Sequence, residues 1–144
     1  MNSNLPRLTG VLLPLNREGD NMPKFFDSEQ LACKCGCGLN NPSYGLINII
    51  DKTIELCDIP IYINSACRCE KHNKKVGGSQ TSSHLPRKDN HECEAVDFDA
   101  DTSKERYKVL KAMMITGFKR IGIGKTFLHG DISHDKVQNI VWRY

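Results

Sequence analysis

The chain has 144 residues, of which 39% are hydrophobic and 26% charged. That leaves room for one domain with a core of its own and excludes a low-complexity, collagen-like or disordered polar chain. Twenty Lys+Arg against seventeen Asp+Glu give a net charge of +3, too small and too mixed a balance to point to nucleic acid. No apolar run approaches the ~18–20 residues that span a bilayer, so a monomer without membrane insertion is expected.

Residues 1–21 show no sustained period, carry Pro6 and Pro14, and read as a flexible arm ahead of a domain over 22–144. The apolar stretch 8–15 lacks a small-residue cleavage site before Arg17 and Glu18, so it does not read as a signal peptide and synthesis in the cytoplasm is expected. Asp27 or Ser28 can cap a short helix through Leu31, and the Gly-rich stretch after it reads as turns. Leu46, Ile47, Ile49, Ile50, Ile54 and Leu56 recur close to helical spacing and predict a helix over 43–57. Residues 61–64 form a short β-rich run. A polar helix over 70–76 closes at Gly77-Gly78. After a loop over 79–94, Ala95-Val96-Asp97-Phe98-Asp99 alternates as a strand. Thr102 or Ser103 opens a second long helix that runs to Thr116, with Tyr107, Leu110, Met113 and Met114 expected toward the core. Residues 120–124, 126–131 and 139–144 read as three further strands. The fold class is α+β, a small, mostly antiparallel sheet with helices packed on one side.

Seven cysteines cannot all pair within one chain. Residues two apart, such as Cys33, Cys35 and Cys37, are poorly placed for a bridge in an extended segment. The pattern therefore reads as reduced thiols or thiolate ligands rather than oxidised pairs. Cys33, Cys35 and Cys37 can share a face and, with Cys93 or the Cys67/Cys69 pair, bind a second, structural zinc. The spacing matches no C-x2-C ribbon, and a Gly-rich loop with free, partly buried thiols that act as small hydrophobes is the favoured alternative.

Three segments carry candidate metal ligands: His84 in Ser82-Ser83-His84, Asp97 in Ala95-Val96-Asp97-Phe98, and His129 in Phe127-Leu128-His129-Gly130-Asp131. Two imidazoles and one carboxylate suit a catalytic Zn²⁺ that keeps its fourth position for water. His129 and Asp131, two apart in a strand, point to the same side, so one can ligate while the other orients it or handles a proton. Read singly, a loop histidine and a strand-end acid are common without any metal. His72 is read as a capping or backbone-bonded residue and His134 as solvated. Trp142 and Tyr144 are read as strand packing rather than as a substrate platform.

The ordered run Asn64-Ser65-Ala66-Cys67-Arg68-Cys69-Glu70-Lys71-His72-Asn73, Val76-Gly77-Gly78, Ser82-Ser83-His84 and Ala95-Val96-Asp97 resembles the zinc D-Ala-D-Ala carboxypeptidase and peptidoglycan endopeptidase family. Phe127-Leu128-His129-Gly130-Asp131 with Trp142 and Tyr144, and the opening over 26–38, resemble its small phage and bacterial branch. The resemblance runs from about Pro23 to Tyr144. It implies a hedgehog/D,D-peptidase-like fold with a zinc site in a cleft on the sheet, and His84, Asp97 and His129 as ligands. It also implies Arg68 as the arginine that stabilises the substrate carbonyl or carboxylate, and Ser82 as a hydrogen-bonding partner of the bound peptide.

Two positions depart from the family pattern. Twelve residues separate His84 from Asp97, more than the family's usual spacing, which reads as a surface-loop insertion within 86–94 and makes His91 a rival first ligand. The Ser-x-His context favours His84. Many members carry an acid three residues before the last histidine, where this chain has Thr126; Asp131 is then the expected proton acceptor, ahead of Glu92, Glu94 and Asp99. The resemblance implies a zinc peptidase cleaving peptidoglycan stem peptides or cross-links next to a D-amino acid, endolysin-like and acting on the wall after release or within a phage particle. An L-Ala-D-Glu endopeptidase and a non-catalytic zinc-containing binding module are the alternatives.

Overall fold

The computed structural model describes residues 22–144; the expected arm over 1–21 lies outside the described residues. Asp27 caps a 3-10 turn, Ser28–Leu31, by accepting from the Glu29 amide, and Leu31 at its end is fully buried. Ser43 accepts from the Leu46 amide and starts α1, Tyr44–Leu56, which turns Leu46, Ile50 and Thr53 inward. A short strand β1, Ile63–Ser65, leads to the six-residue helix α2, Glu70–Lys75. Strand β2, Ala95–Asp99, precedes α3, Ser103–Thr116. Thr102 and Glu105 close a capping box at the start of α3, and the helix ends at Gly117. Strands β3, Arg120–Ile123, β4, Phe127–Asp131, and β5, Ile140–Arg143, complete the domain.

Of the four residues expected on the inward face of α3, Met113 is buried and Leu110 packs against the core, whereas Tyr107 and Met114 turn outward. Val109, Ala112 and Met113 are buried, whereas Tyr107 and Met114 are 68% and 60% exposed. At 3.6 residues per turn, Tyr107 and Met114 lie roughly 140–160° around the helix from Val109. Lysines interrupt the apolar pattern, so packing rather than periodicity selects the face. Thr116 reinforces the choice: its hydroxyl lies 2.8 Å from that of Thr53 and joins α3 to α1.

The five strands form one sheet in the order β1-β2-β4-β3-β5. β2 pairs antiparallel with β1 and β4, and β3 antiparallel with β4; the β3–β5 pair is parallel. Alternation gives the sheet two chemistries. Val96, Phe98, Ile121 and Leu128 enter the core with Leu46, Ile50, Val109 and Met113 from the long helices. Asp97, His129, Gly122 and Trp142 occupy one row of register on the opposite face. Both long helices thus back one side of the sheet, and α2 contributes to the rim of the cleft on the other.

One expectation about the cysteines is corrected. Cys67 and Cys93 form a disulfide with Cα atoms 5.4 Å apart, and both residues are buried. Spacing hid this pair because the antiparallel β1–β2 pairing, not proximity in sequence, brings the end of β1 beside the approach to β2. Cys93 also donates its amide to Asn41 O and accepts from Ser43 N, so the bridge sits where the entry to α1, β1 and β2 meet.

Candidate metal centre and cleft

Asp97 and His129 face each other across the β2–β4 ladder, and alternation aims both away from the core. His84 arrives from the 79–94 loop, held by backbone bonds from Arg68 N to His84 O and from Glu94 N to Ser83 O. Their donor atoms form a small triangle. His84 Nε2 lies 3.1 Å from Asp97 Oδ1 and 3.2 Å from His129 Nδ1, and His129 Nδ1 lies 2.9 Å from Asp97 Oδ1. All three residues are buried. A tetrahedral Zn²⁺ with bonds of about 2.0–2.1 Å sets its ligand atoms about 3.3 Å apart, close to this triangle.

The outer atoms of the rings decide which nitrogens face inward. His84 Nδ1 donates to the Ala66 carbonyl at 2.6 Å, and His129 Nε2 donates to Asp131 Oδ2 at 2.9 Å. Each ring therefore turns a lone pair to the triangle, where Asp97 also presents an acceptor. Three buried acceptors this close require a cation or a proton between them. Burial holds the His84 pKa below the ordinary histidine value against the pull of Asp97. Burial acts the same way on His129, but its hydrogen bonds to Asp131 and Asp97 outweigh it and raise that pKa. Asp97 is buried too, which alone would raise its pKa, yet His84 and His129 hold it well below the usual carboxylate range. Two borderline nitrogens and one hard oxygen fit zinc.

Arg68 contacts the other oxygen of Asp97. Its Nη2 donates to Asp97 Oδ2 at 2.9 Å, its Nε to Ser65 Oγ at 3.0 Å and its Nη1 to Asn73 Oδ1 at 3.3 Å. Of the five N–H groups of a guanidinium, two are left for a ligand in the cleft that Arg68 lines. Ser82 lines the same cleft, and its Oγ accepts from the His84 amide.

Asp131 occupies a different position from the free proton acceptor that the sequence suggests. One carboxylate oxygen takes the His129 ring N–H; the other takes Arg120 Nε at 2.8 Å and the Ser133 amide at 3.2 Å. It meets the triangle only through the imidazole of His129. Against its burial, His129 and Arg120 keep its pKa lowered. Glu94 is held by Arg87, and His91, Glu92 and Asp99 lie outside the triangle, with His91 exposed on the loop. That loop closes on itself through Arg87 N to Glu92 O and His91 N to Arg87 O, as a surface insertion should.

Trp142 and Tyr144 pack over Gly122 and, for Tyr144, against Phe127, as expected of strand-packing residues, and they also line the cleft. Their rings stand 5.5 and 6.3 Å from that of His129, and Arg120 lies over the Trp142 ring at 5.3 Å. Gly122 permits this: a Cβ there would come within 2.7–2.9 Å of both rings. Tyr144 stays 69% exposed at the rim of the cleft. The alternation of 140, 142 and 144 was visible in the sequence, but the parallel partner that places these residues beside His129 was not. His72 also lines the cleft, and its Nδ1 is buried without a hydrogen-bond partner among the described residues, so there the ring does not cap the backbone as expected.

Among the described residues, no helix is long and apolar enough to cross a membrane. No curated protein matches the chain. A family model described as Peptidase M15 matches residues 24–131, about three quarters of the sequence, and spans the three metal-donor residues, Arg68 and Ser82. Members of that family use zinc, in keeping with the donor set. The chain belongs to the peptidase M15 family and is a zinc metallopeptidase.

Proposed function

We propose that the protein hydrolyses peptidoglycan stem peptides or cross-links next to a D-amino acid, with zinc held by His84, Asp97 and His129. The observation that carries this reading is the convergence of three acceptor atoms within 2.9–3.2 Å on the floor of the cleft, beside an arginine with donors to spare. The peptidoglycan substrate rests on the run of motifs from Asn64 to Asp97, which resembles that of wall peptidases. In this reading the enzyme acts on the wall after release or as part of a phage particle.

When bound, zinc supplies Lewis-acid activation of water and of the scissile carbonyl. Arg68 fixes the Asp97 carboxylate and directs its remaining N–H groups to a substrate carbonyl or terminal carboxylate, where fixed donors act most strongly. Ser82 offers a hydroxyl to the peptide backbone. Asp131 is a positioning residue that holds the His129 tautomer, while Trp142 and Tyr144 bound the cleft on that side.

Zinc content and release of muropeptides, measured on the wild type and His129→Ala, test the reading. One zinc and hydrolysis both lost from the cleft site in the variant are expected, and the product masses separate cleavage next to D-Ala from cleavage between L-Ala and D-Glu. Zinc binding with no hydrolysis across several wall chemistries would overturn the substrate assignment.

A further inference from the structure

We propose that Cys33, Cys35, Cys37 and Cys69 bind a second zinc ion as a tetrathiolate, separate from the His84–Asp97–His129 centre. One ligand atom from each of the four lies within 4.8 Å of every other. Cys33 Sγ is 3.5 Å from Cys35 Sγ, and Cys35 Sγ is 3.7 Å from Cys69 Sγ. Zinc–sulfur bonds of about 2.3 Å in a tetrahedron give S···S edges of about 3.8 Å. Covalent pairing needs about 2.05 Å, so these separations match a shared ion and not a bridge.

The backbone is shaped for the cluster. In a straight strand, residues 33, 35 and 37 would be spread along one face. Here Gly36 and Gly38 take positive φ values of 83° and 89°, which side chains resist, and the loop is pinned by Gly36 N to Cys33 O and Cys33 N to Leu39 O. Backbone amides face the sulfurs: Cys69 N donates to Cys33 Sγ at 3.4 Å and His72 N to Cys69 Sγ at 3.3 Å. Such N–H···S contacts stabilise thiolates and orient metal ligands. Cys35 and Cys37 are exposed, so packing as small hydrophobes does not account for their convergence.

The remaining cysteines have other partners. Cys67 and Cys93 are joined to each other, and Cys57 packs against the core. The fourth ligand is thus Cys69 rather than Cys93 or Cys67. Its position gives the ion a structural task. In the 66–69 segment, Ala66 O fixes the His84 ring, Arg68 fixes Asp97 and Cys69 ties the segment to the N-terminal loop. The thiolate ion anchors the segment that orients two residues of the catalytic centre.

Elemental analysis of the full chain, purified with zinc and without chelator, tests this. Two zinc ions are expected in the wild type. One is expected in His129→Ala, released by an organomercurial thiol reagent, and one in Cys35→Ser/Cys37→Ser. Cobalt substitution of the wild type should give thiolate-to-metal charge-transfer absorption, retained in His129→Ala and lost in the double variant. The wild-type spectrum also covers the case in which the double variant does not fold. A single zinc in the wild type with none in His129→Ala, no thiolate band in the cobalt protein, or a disulfide among the four cysteines by non-reducing mass spectrometry would each overturn the proposal.

Discussion

His84 and His129 are each fixed by the nitrogen that faces away from the triangle, one on a backbone carbonyl and the other on a carboxylate. Such outer contacts set ligand basicity and ring orientation. Asp131→Asn retains an oxygen for one neighbour but puts an amide N–H toward either His129 or Arg120, since both partners donate. The expected result is a 10- to 100-fold loss of zinc affinity, read by competition with a chelator, with the fold preserved by circular dichroism. Gly122→Ala tests the aromatic wall. The added methyl must displace the Trp142 and Tyr144 rings, so hydrolysis should fall while zinc content stays at the wild-type level.

At the scale of elements, the start of α3 is set by two side chains. Thr102 accepts from the Glu105 amide, and Glu105 accepts from the Asp101 and Thr102 amides. Thr102→Ala should cost about 1 kcal/mol in urea unfolding. The backbone amides of Thr102 and Asp101 hold the Glu105 pKa below its ordinary value. A lowered folded pKa means stability that is present above the unfolded value and lost as pH falls through the folded one. The unfolding midpoints of wild type and Glu105→Gln should therefore differ at neutral pH and converge in acid; a constant gap across that range would contradict the capping role. On the core side of β4, a Cβ at Gly130 would sit 2.7 Å from Met113 and Phe118. Gly130→Ala should destabilise by about 1–3 kcal/mol through overpacking between α3 and the sheet.

For the molecule as a whole, the Cys67–Cys93 bridge closes a loop with a sequence separation of 26, which contains α2 and most of the segment bearing His84. By the chain-entropy relation a loop of that length contributes about 3.5 kcal/mol. Cys93→Ser should lower the unfolding free energy by about that amount, measured in denaturant under non-reducing conditions. A reductant should bring the wild type toward the variant. A wild type insensitive to both would show that β1–β2 pairing alone holds the two segments together.

The sequence by itself determined what short-range chemistry can determine. Ser43 and Thr102 mark the helix starts because a side-chain oxygen satisfies an amide two or three residues on, and alternation in 127–131 turns His129 and Asp131 to one side because a strand has a period of two. The ordered motifs from Asn64 to Asp97, with Phe127–Asp131 after them, identified the residues that meet at the metal-donor triangle, and the loop insertion did not hide His84. Tertiary structure decided the rest. It turned Tyr107 and Met114 of α3 away from the core, paired Cys67 with Cys93, gathered Cys69 to the three N-terminal cysteines, and placed Trp142 and Tyr144 beside His129. It also placed Asp131 behind an imidazole rather than at the triangle. Each of these depends on contacts between segments distant in sequence. Local pattern limits which way a side chain points along its own element, and only the pairing of strands and the packing of helices fixes what it meets there.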